Sequence, residues 1–293
     1  MKLMKLMKIT STQRTQMEKL IRTCCLAEPI RLSIPLPAAD EPLLGECFFA
    51  LYDRERLISL IHLFYPDYTV GELIGFTDPK YRRQGCFNQL LDCAADVADE
   101  LGLCQVYVIS DGRSTDTEHA LDALGLDVEY TEYMLEKSLT AQIGTEPSAP
   151  QSIAKTETML LKEIPPSEMD AEFFCRIFNV SSSESSSYLA EISSDARIRT
   201  FIFTKNGRVL GQAQITMMDG LAYLSGFGIL PEFRRQGLGL TFLHLLEKTL
   251  AAEGTVKLTL QVSTKNKPAL SLYRKDGFDI LEALHYSPLF EDE

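Results

Sequence analysis

The chain has 293 residues, which suggests two domains at a typical size of roughly 150 residues per domain. With 45% hydrophobic and 24% charged residues it has the composition of an ordinary globular protein, and no apolar run reaches the ~20 residues that a membrane helix needs. The net charge of -12 argues against a general nucleic-acid binder, whose affinity depends on neutralising phosphates.

The N-terminal segment and the cysteines favour a cytoplasmic protein. The chain begins with Lys interleaved with apolar residues and lacks the continuous apolar core of a signal peptide. Its seven Cys are an odd number, with no CxxC pair and no Cys/His spacing typical of a metal site. We therefore expect reduced, mostly buried thiols and no metal.

The sequence contains a long internal repeat. Residues 81–85 read Tyr-Arg-Arg-Gln-Gly, and residues 233–237 read Phe-Arg-Arg-Gln-Gly, 152 positions later. Upstream of each copy, residues 48–57 and 201–210 both have the pattern strand, polar turn, strand. A repeat of this length predicts a duplicated domain rather than a solenoid unit.

Two stretches of biased composition follow the first copy. Residues 138–158 are rich in Ser, Thr, Ala, Gln and Pro, which is typical of an exposed linker. We accordingly predict an N-terminal domain at 1–140, a linker at 141–158 and a C-terminal domain at 159–293. The Ser-rich run at 181–187 predicts a mobile loop between two helices.

The second copy of the repeat predicts an anion-binding turn between a strand and a helix. A strand-like segment with two Gly ends at Pro231 and is followed by Arg-Arg-Gln-Gly-Leu-Gly at 234–239. Two Gly within a strand indicate a bulge or a close backbone approach. The first N–H groups of a helix have no intrahelical partner, and Gly237 and Gly239 carry no Cβ that would keep a phosphate from them. The P-loop pattern GxxxxGK[ST] and the dinucleotide pattern GxGxxG are absent.

A second strand and helix follow. Residues 256–263 alternate as a half-buried strand, Asn266 is placed to cap the next helix, and Gly277 is placed to end it. Asn266, Ala269 and Tyr273 have the i, i+3, i+7 spacing of one helix face.

The two motifs together resemble those of the GNAT superfamily of N-acetyltransferases. They are Arg-x-x-Gly-x-Gly after a strand and a Pro, and Asn-x-x-Ala-x-x-x-Tyr-x-x-x-Gly-Phe after the next strand, within residues 159–293. The resemblance implies an α/β (α+β) fold with two tandem acyl-CoA N-acyltransferase-like domains, each a mixed, mainly antiparallel sheet flanked by helices. It implies acetyl-CoA as acyl donor. The implied coenzyme contacts are Phe227, Gly228, Ile229, Arg234, Arg235, Gln236, Gly237, Leu238, Gly239, Leu240 and Asn266.

The resemblance also implies a mechanism. A primary amine attacks the thioester directly, backbone N–H groups near Phe227 and Ile229 stabilise the developing oxyanion, and Tyr273 donates a proton to the departing thiolate. The acceptor is a small metabolite, an antibiotic or a peptide terminus, with no nucleic acid and no membrane involved. The Ser-rich run at 181–187 is a candidate lid over the acceptor site.

The general base is left open. Relatives place a Glu on the fourth or the fifth strand, where this chain has Tyr223 and Gln261. We expect His244 to be packed on the apolar side of its helix. The remaining candidates are a water relay, His285, Tyr286 and Glu191.

The N-terminal copy departs from the pattern. Phe87 stands where the C-terminal copy has Gly239, and Leu121 stands where it has Tyr273. These differences favour a degenerate copy. Two rival functions remain: an acyl-CoA sensor or interaction module without catalysis, which the missing carboxylates favour, and an aminoacyl-tRNA-dependent transferase, which a pI of about 4.9 disfavours.

Overall fold

The computed structural model describes residues 1–66, 69–139, 158–218 and 220–291, without the side chains of 191, 218 and 291. No helix in these ranges is long and apolar enough to cross a membrane. The predicted linker at 141–158 lies outside the described residues except for its last position.

The N-terminal half contains six strands and three helices within the described ranges. In chain order they are β1 (Lys2–Leu6), α1 (Ser11–Ala27), β2 (Glu46–Asp53), β3 (Arg56–Phe64), β4 (Val70–Thr77), α2 (Cys86–Glu100), β5 (Gln105–Asp111), α3 (Thr115–Leu124) and β6 (Tyr130–Ser138).

The C-terminal half repeats this order with one extra helix. Its elements are β7 (Met159–Ile164), α4 (Ala171–Phe178), α5 (Ser182–Ser194), β8 (Ile198–Lys205), β9 (Arg208–Met218), β10 (Leu221–Ile229), α6 (Leu238–Ala252), β11 (Lys257–Ser263), α7 (Lys267–Asp276) and β12 (Asp279–Glu291).

The predicted strand–turn–strand segments are confirmed as hairpins. β2 and β3 are joined by residues 54–55, and β8 and β9 by residues 206–207. Arg54, Asn206 and Gly207 have positive φ, which two-residue hairpin turns of the primed types require.

The Ser-rich run is helical, so the predicted loop is wrong. Ser181 caps α5 by accepting a hydrogen bond from the backbone N–H of Glu184, and the Glu184 side chain accepts one from the Ser181 N–H. This reciprocal pair is a capping box, and its Ser-x-x-Glu signature is present in the sequence. A capped helix start overrides the weak helical preference of the serines that follow.

The chain folds into two compact units that do not coincide with its two halves. The N-terminal unit comprises Met1–Glu132 together with Glu282–Glu293, and the C-terminal unit comprises Tyr133–Leu281. Most of β12 therefore belongs to the N-terminal unit, where Leu284–Glu291 runs antiparallel to β5. Most of β6 belongs to the C-terminal unit, where it lies next to β11. Each half gives its last strand to the unit formed by the other.

The strands of the two units follow the same order, and each unit combines parallel and antiparallel pairs as predicted. The strand order is β1-β2-β3-β4-β5-β12 in the N-terminal unit and β7-β8-β9-β10-β11-β6 in the C-terminal unit. Each contains a parallel pair, β4–β5 or β10–β11, next to antiparallel neighbours.

A hydrophobic core lies between each sheet and the helix that follows the repeated Arg-Arg-Gln-Gly sequence. In the C-terminal unit, Phe203 and Phe242 stack with ring centroids 5.1 Å apart between β8 and α6. In the N-terminal unit, α2 packs through Leu90, Leu91 and Ala94. The opposite face of the N-terminal sheet is covered by α1 and forms a second core.

Candidate active site

The parallel strands of the C-terminal unit separate at the point where the site residues begin. β10 and β11 pair from Leu221–Lys257 to Leu224–Leu260, and their described ladder ends there. Beyond Leu224 the edge of β10 that faces β11 is therefore open to a ligand. An extended ligand chain can add hydrogen bonds to such an edge.

A β-bulge in β10 lies beside this opening. Ser225 is opposite Gln214 on β9, but the next pair is Gly228 with Gln212, so β10 has one residue more than its partner. Gly226, within the bulge, has φ +52°, which a residue with a side chain rarely adopts. The two glycines in this strand predicted a bulge or a close backbone approach, and the structure has the bulge. The bulge turns the Phe227 region, with its backbone N–H groups, out of the regular ladder.

The phosphate loop has the backbone form that an anion site needs. Arg235 and Gly237 have φ of +61° and +78°, and Gly237 is the N-cap of α6. The first helical bond runs from the Thr241 N–H to the Gly237 oxygen at 3.2 Å. The N–H groups of Leu238, Gly239 and Leu240 therefore have no intrahelical partner and carry the positive end of the helix dipole.

Side chains of the loop have different roles. A Cβ on Gly239 would meet only Leu272, at 3.6 Å, so the space in front of the helix end is open. Leu238 is 4% exposed and belongs to the core, so its backbone alone faces a ligand. The Arg234 guanidinium donates to the carbonyl oxygens of Ile229, at 2.9 Å, and Ile177. Arg234 therefore fixes the loop to β10 and α4, although it is exposed like Arg235 and Gln236.

Helix α7 places the second motif as the sequence predicted. Asn266 is its N-cap, with its side chain accepting from the Ala269 N–H at 3.3 Å, and Gly277 is its left-handed C-cap. Tyr273 projects into the core, where its ring centroid lies 6.2 Å from that of Phe227 and 5.6 Å from that of Phe278.

The Tyr273 hydroxyl is buried and protonated. Its side chain is almost completely buried, and its hydroxyl has no hydrogen-bond partner among the described residues. Burial raises the pKa of this hydroxyl well above the usual ~10, since the phenolate would lose its hydration. Tyr273 therefore stays protonated across the physiological pH range.

The candidate bases are divided between the units. His285 and Tyr286 lie on the part of β12 that belongs to the N-terminal unit. There the Tyr286 ring stacks on Tyr130 with centroids 4.5 Å apart, and His285 lies against Gly112. Glu191 lies on α5 with an undescribed side chain.

His244 is not packed as expected. Its side chain is 57% exposed, and its Nε2 lies 2.6 Å from Asp276 Oδ1. Lys137 Nζ donates to the carboxylates of both Asp276 and Glu247, each at 2.7 Å. The carboxylates of this cluster could attract a metal ion together with His244, but the Lys137 ammonium already occupies the position between them. No local pattern in the sequence indicates this cluster, because Lys137 lies more than 100 residues before its partners.

The cysteines are free thiols, as expected. Cys24, Cys47 and Cys86 are buried, while Cys25, Cys93 and Cys175 are partly buried and Cys104 is exposed. Desolvation raises the pKa of Cys24 and of Cys47 to about 11, so these thiols are poor nucleophiles at neutral pH.

The N-terminal unit reproduces the phosphate loop. Arg83 and Gly85 have φ of +58° and +76°, and the first helical bond of α2 runs from Gln89 N–H to the Gly85 oxygen at 3.1 Å. Arg82 Nε donates to the Thr77 oxygen, as Arg234 does to Ile229. A cavity of about 420 Å³ lies in front of this loop, between the ends of β4 and β5 and helix α3.

The N-terminal unit repeats the separation of the parallel strands, since β4 and β5 pair only from Val70–Gln105 to Leu73–Val108, but it lacks the bulge and the tyrosine. β4 pairs with β3 from Glu72 to Thr77 without a register shift, so it has no bulge. Leu121 takes the place of Tyr273 on α3. Phe87 fills space beside β4, since a Cβ on Gly75 would lie 2.4 Å from its ring. Arg82 is also paired with the carboxylates of Glu28 and Asp116, which reduces its attraction for an anion.

Comparisons with known proteins agree with this geometry. The model of the acetyltransferase (GNAT) family matches residues 167–278. The [ribosomal protein bS18]-alanine N-acetyltransferase of Escherichia coli (strain K12) is 32% identical over 83 residues, which cover 28% of this chain and 56% of that protein. The match thus spans little more than half of this curated relative.

Two solved structures share the fold along nearly the whole chain. A GCN5-related N-acetyltransferase from Sphaerobacter thermophilus has a TM-score of 0.72 at 14% identity, covering 98% of this chain and 95% of that one. A tandem GNAT protein from the clavulanic acid biosynthesis pathway has a TM-score of 0.65 at 14% identity, covering 98% of both chains. Residues 167–278 therefore belong to the GNAT family of acetyltransferases, and the fold of nearly the whole chain is similar to that of a tandem GNAT protein.

Proposed function

We propose that the C-terminal unit transfers an acetyl group, or another short acyl group, from acyl-CoA to a primary amine by direct attack. The observation that carries this proposal is the combination, in one unit, of an open strand edge with a bulge, a helix N-terminus bearing unpaired N–H groups, and a buried tyrosine hydroxyl with no described partner.

The residues have separate tasks in this reaction. The backbone of Gly237, Leu238, Gly239 and Leu240 binds the pyrophosphate of the acyl donor, and Asn266 contacts its arm beyond its capping role. Backbone N–H groups near Phe227 and Ile229 stabilise the negative charge that develops on the thioester oxygen.

In the proposed reaction, Tyr273 protonates the departing sulfur. As the amine nitrogen forms its bond to the carbonyl carbon, the carbon–sulfur bond breaks and the sulfur takes up a proton from Tyr273. The neutral amine loses one proton in forming the amide, and one proton must return to the Tyr273 phenolate, so the exchange leaves no net change in protons. No carboxylate stands at Tyr223 or Gln261, so we propose that water carries the proton of the amine away.

The N-terminal unit is proposed to be a non-catalytic copy. It has neither the bulge nor a tyrosine at Leu121, and catalysis by the same route would need both. Its cavity nevertheless leaves room for a ligand in front of the loop at 82–85, so a role in binding an acyl-CoA or shaping the protein is compatible with its geometry.

A sensor that binds acyl-CoA without transferring the acyl group is the second candidate, favoured by the lack of a carboxylate at 223 and 261. The two functions differ in one measurement. The protein is incubated with acetyl-CoA and a panel of primary amines, and release of the free thiol is followed. Amine-dependent thiol release supports the transferase, whereas binding of acetyl-CoA without release in the presence of any amine supports the sensor.

A further inference from the structure

Three buried polar side chains on one face of the strands of the C-terminal unit carry atoms without a hydrogen-bond partner in the described part of the chain. Thr200 on β8 and Gln212 and Gln214 on β9 are each 0% exposed. The Oγ1 atom of Thr200, both amide atoms of Gln212 and Nε2 of Gln214 have no hydrogen-bond partner within the described part of the chain. We call these three side chains the buried polar row.

The register makes the row continuous. Thr200 is directly opposite Gln214 across β8–β9, and Gln212 lies two residues along β9, on the same face. The neighbouring residues Ala213 and Ile215 point to the other face, into the core with α6. The row therefore lies on the face of the sheet opposite α6.

The row borders the bulge of the proposed acyl-transfer site. On β10, Ser225 is opposite Gln214 and Gly228 is opposite Gln212. The Gln214 side chain lies over Gly226, since a Cβ there would be 1.5 Å from its Oε1. Neighbouring strands are about 4.8 Å apart, so a glutamine on β9 can reach a group bound across the bulge.

Helices α4 and α5 cover this face. Ile177 and Phe178 of α4 lie against Gly228, and the Tyr188 hydroxyl of α5 is 3.4 Å from Gln214 Oε1. The row is thus enclosed between the sheet and these two helices, next to the strand whose other edge is open.

Burial of such groups without hydrogen bonds is costly. Each unpaired amide or hydroxyl loses its hydration without gaining a hydrogen bond, and apolar residues of the same size would fill the space without that loss. Unpaired buried polar groups are few in folded proteins, and each therefore needs an explanation such as a catalytic role or a bound water or ion. The position beside the bulge points to a ligand of the reaction.

We propose that the buried polar row binds a neutral amide group of the acceptor, next to the amine that is acylated. This inference rests on the proposed transferase function and specifies its substrate class. Gln212 carries an N–H donor and a carbonyl acceptor in one plane, which match the acceptor and donor of another amide. The row carries no charge, so a carboxylate or a second ammonium at that place would be buried without a counter-charge.

Three amines with the same number of heavy atoms test this proposal: glycinamide, isobutylamine and glycine, each with acetyl-CoA as donor. We expect the wild type to use glycinamide with a higher kcat/KM than glycine. In Gln212→Met, which keeps the length of the side chain and removes its amide, kcat/KM for glycinamide falls about tenfold. For isobutylamine it stays within about twofold, and the KM for acetyl-CoA is unchanged. Each variant is compared with the wild type on the same amine, so differences in basicity between the amines do not affect this ratio.

Thr200→Val is the second variant, in case the first does not fold. It removes one unpaired hydroxyl at nearly constant volume and is expected to lower the glycinamide value more than the isobutylamine value. Equal effects on both amines in both variants would overturn the proposal and assign the row to packing or bound water. Preference of the wild type for glycine would overturn it as well. Absence of thiol release with every amine would instead overturn the proposed function, and the inference with it.

Discussion

At the residue scale, Tyr273 combines burial with a hydroxyl that no described group engages. A proton donor to the departing thiolate contributes about 10²–10⁴-fold to the rate in enzymes of known mechanism. We predict that Tyr273→Phe lowers kcat at least 100-fold and changes the affinity for acetyl-CoA by less than about threefold. Steady-state kinetics and calorimetry measure the two effects. Tyr133→Phe, which removes a hydroxyl beside the same core, is the matched control and is expected to retain activity.

The pH dependence follows from the direction of the Tyr273 shift. Burial raises its pKa above the usual ~10, so the hydroxyl remains protonated as the pH rises from 8 to 10. Over the same interval the acceptor ammonium loses its proton and becomes a nucleophile. We predict that kcat/KM for the amine rises to a plateau in this range, without an alkaline decrease. A decrease centred below pH 10 in a protein that is still folded would contradict the assigned role of Tyr273.

Single residues were predictable from the sequence where their partners lie close by in the chain. Asn266 and Gly277 cap α7 as expected, because the groups they satisfy lie within a few residues. His244 was misjudged, since its partner Asp276 comes from another helix. The buried polar row was not foreseen either, because alternating Gln and apolar residues on a strand normally indicate an exposed polar face.

At the element scale, one extra residue distinguishes the two copies of the central strand. β10 carries a bulge opposite Gln212 and Gln214, whereas β4 pairs regularly with β3. The glycines of β10 indicated a bulge in the sequence, but its absence from β4 became visible only in the register.

Gly226→Ala tests the bulge. Its φ is +52° and an added Cβ would lie 1.5 Å from Gln214 Oε1, so we expect a loss of about 1–3 kcal/mol in the free energy of unfolding and a large loss of kcat. Gly254→Ala is the control: it also has positive φ, but no atom lies within 4 Å of its added Cβ. The control is expected to lose stability but keep its kcat. Equal kcat in both variants would contradict a catalytic role for the bulge.

The Lys137 cluster holds β6 in the C-terminal unit. Lys137 lies between Glu247 and Asp276, whose side chains are 11% and 0% exposed. Burial and the proximity of Asp276 already raise the pKa of Glu247 above its usual value. We predict that Lys137→Met lowers the free energy of unfolding by about 3–5 kcal/mol, since it leaves two buried carboxylates without a cation.

The stability of Lys137→Met is also predicted to depend on pH. A carboxyl whose pKa is higher in the folded than in the unfolded state binds more protons when folded, so stability falls as the pH rises from about 5 to 8. Urea unfolding of Lys137→Met at these two pH values measures the difference. Adding Glu247→Gln is expected to recover much of the loss, and a failure to recover it would contradict the electrostatic explanation.

At the scale of the whole molecule, the duplication explains both what the sequence predicted and what it did not. The offset of 152 residues predicted two equivalent folds, and the matching φ angles at Arg83 and Arg235 and at Gly85 and Gly237 agree with it. The exchange of β6 and β12 was not predictable. After a duplication, β5 and β11 present equivalent edges, so the pattern of a final strand does not specify which edge it will join.

In the proposed reaction, the loop ending at Gly239 binds acetyl-CoA. Calorimetric titration of the wild type and of Gly239→Trp with acetyl-CoA tests it most directly. The added side chain meets only Leu272 and projects in front of the helix end, so the fold is expected to persist while the site is blocked. Lys248→Trp, at an exposed position of the same helix, is the control. We predict that Gly239→Trp abolishes one binding site and amine-dependent thiol release, and that the control retains both. An unchanged isotherm and unchanged turnover in folded Gly239→Trp would contradict the account.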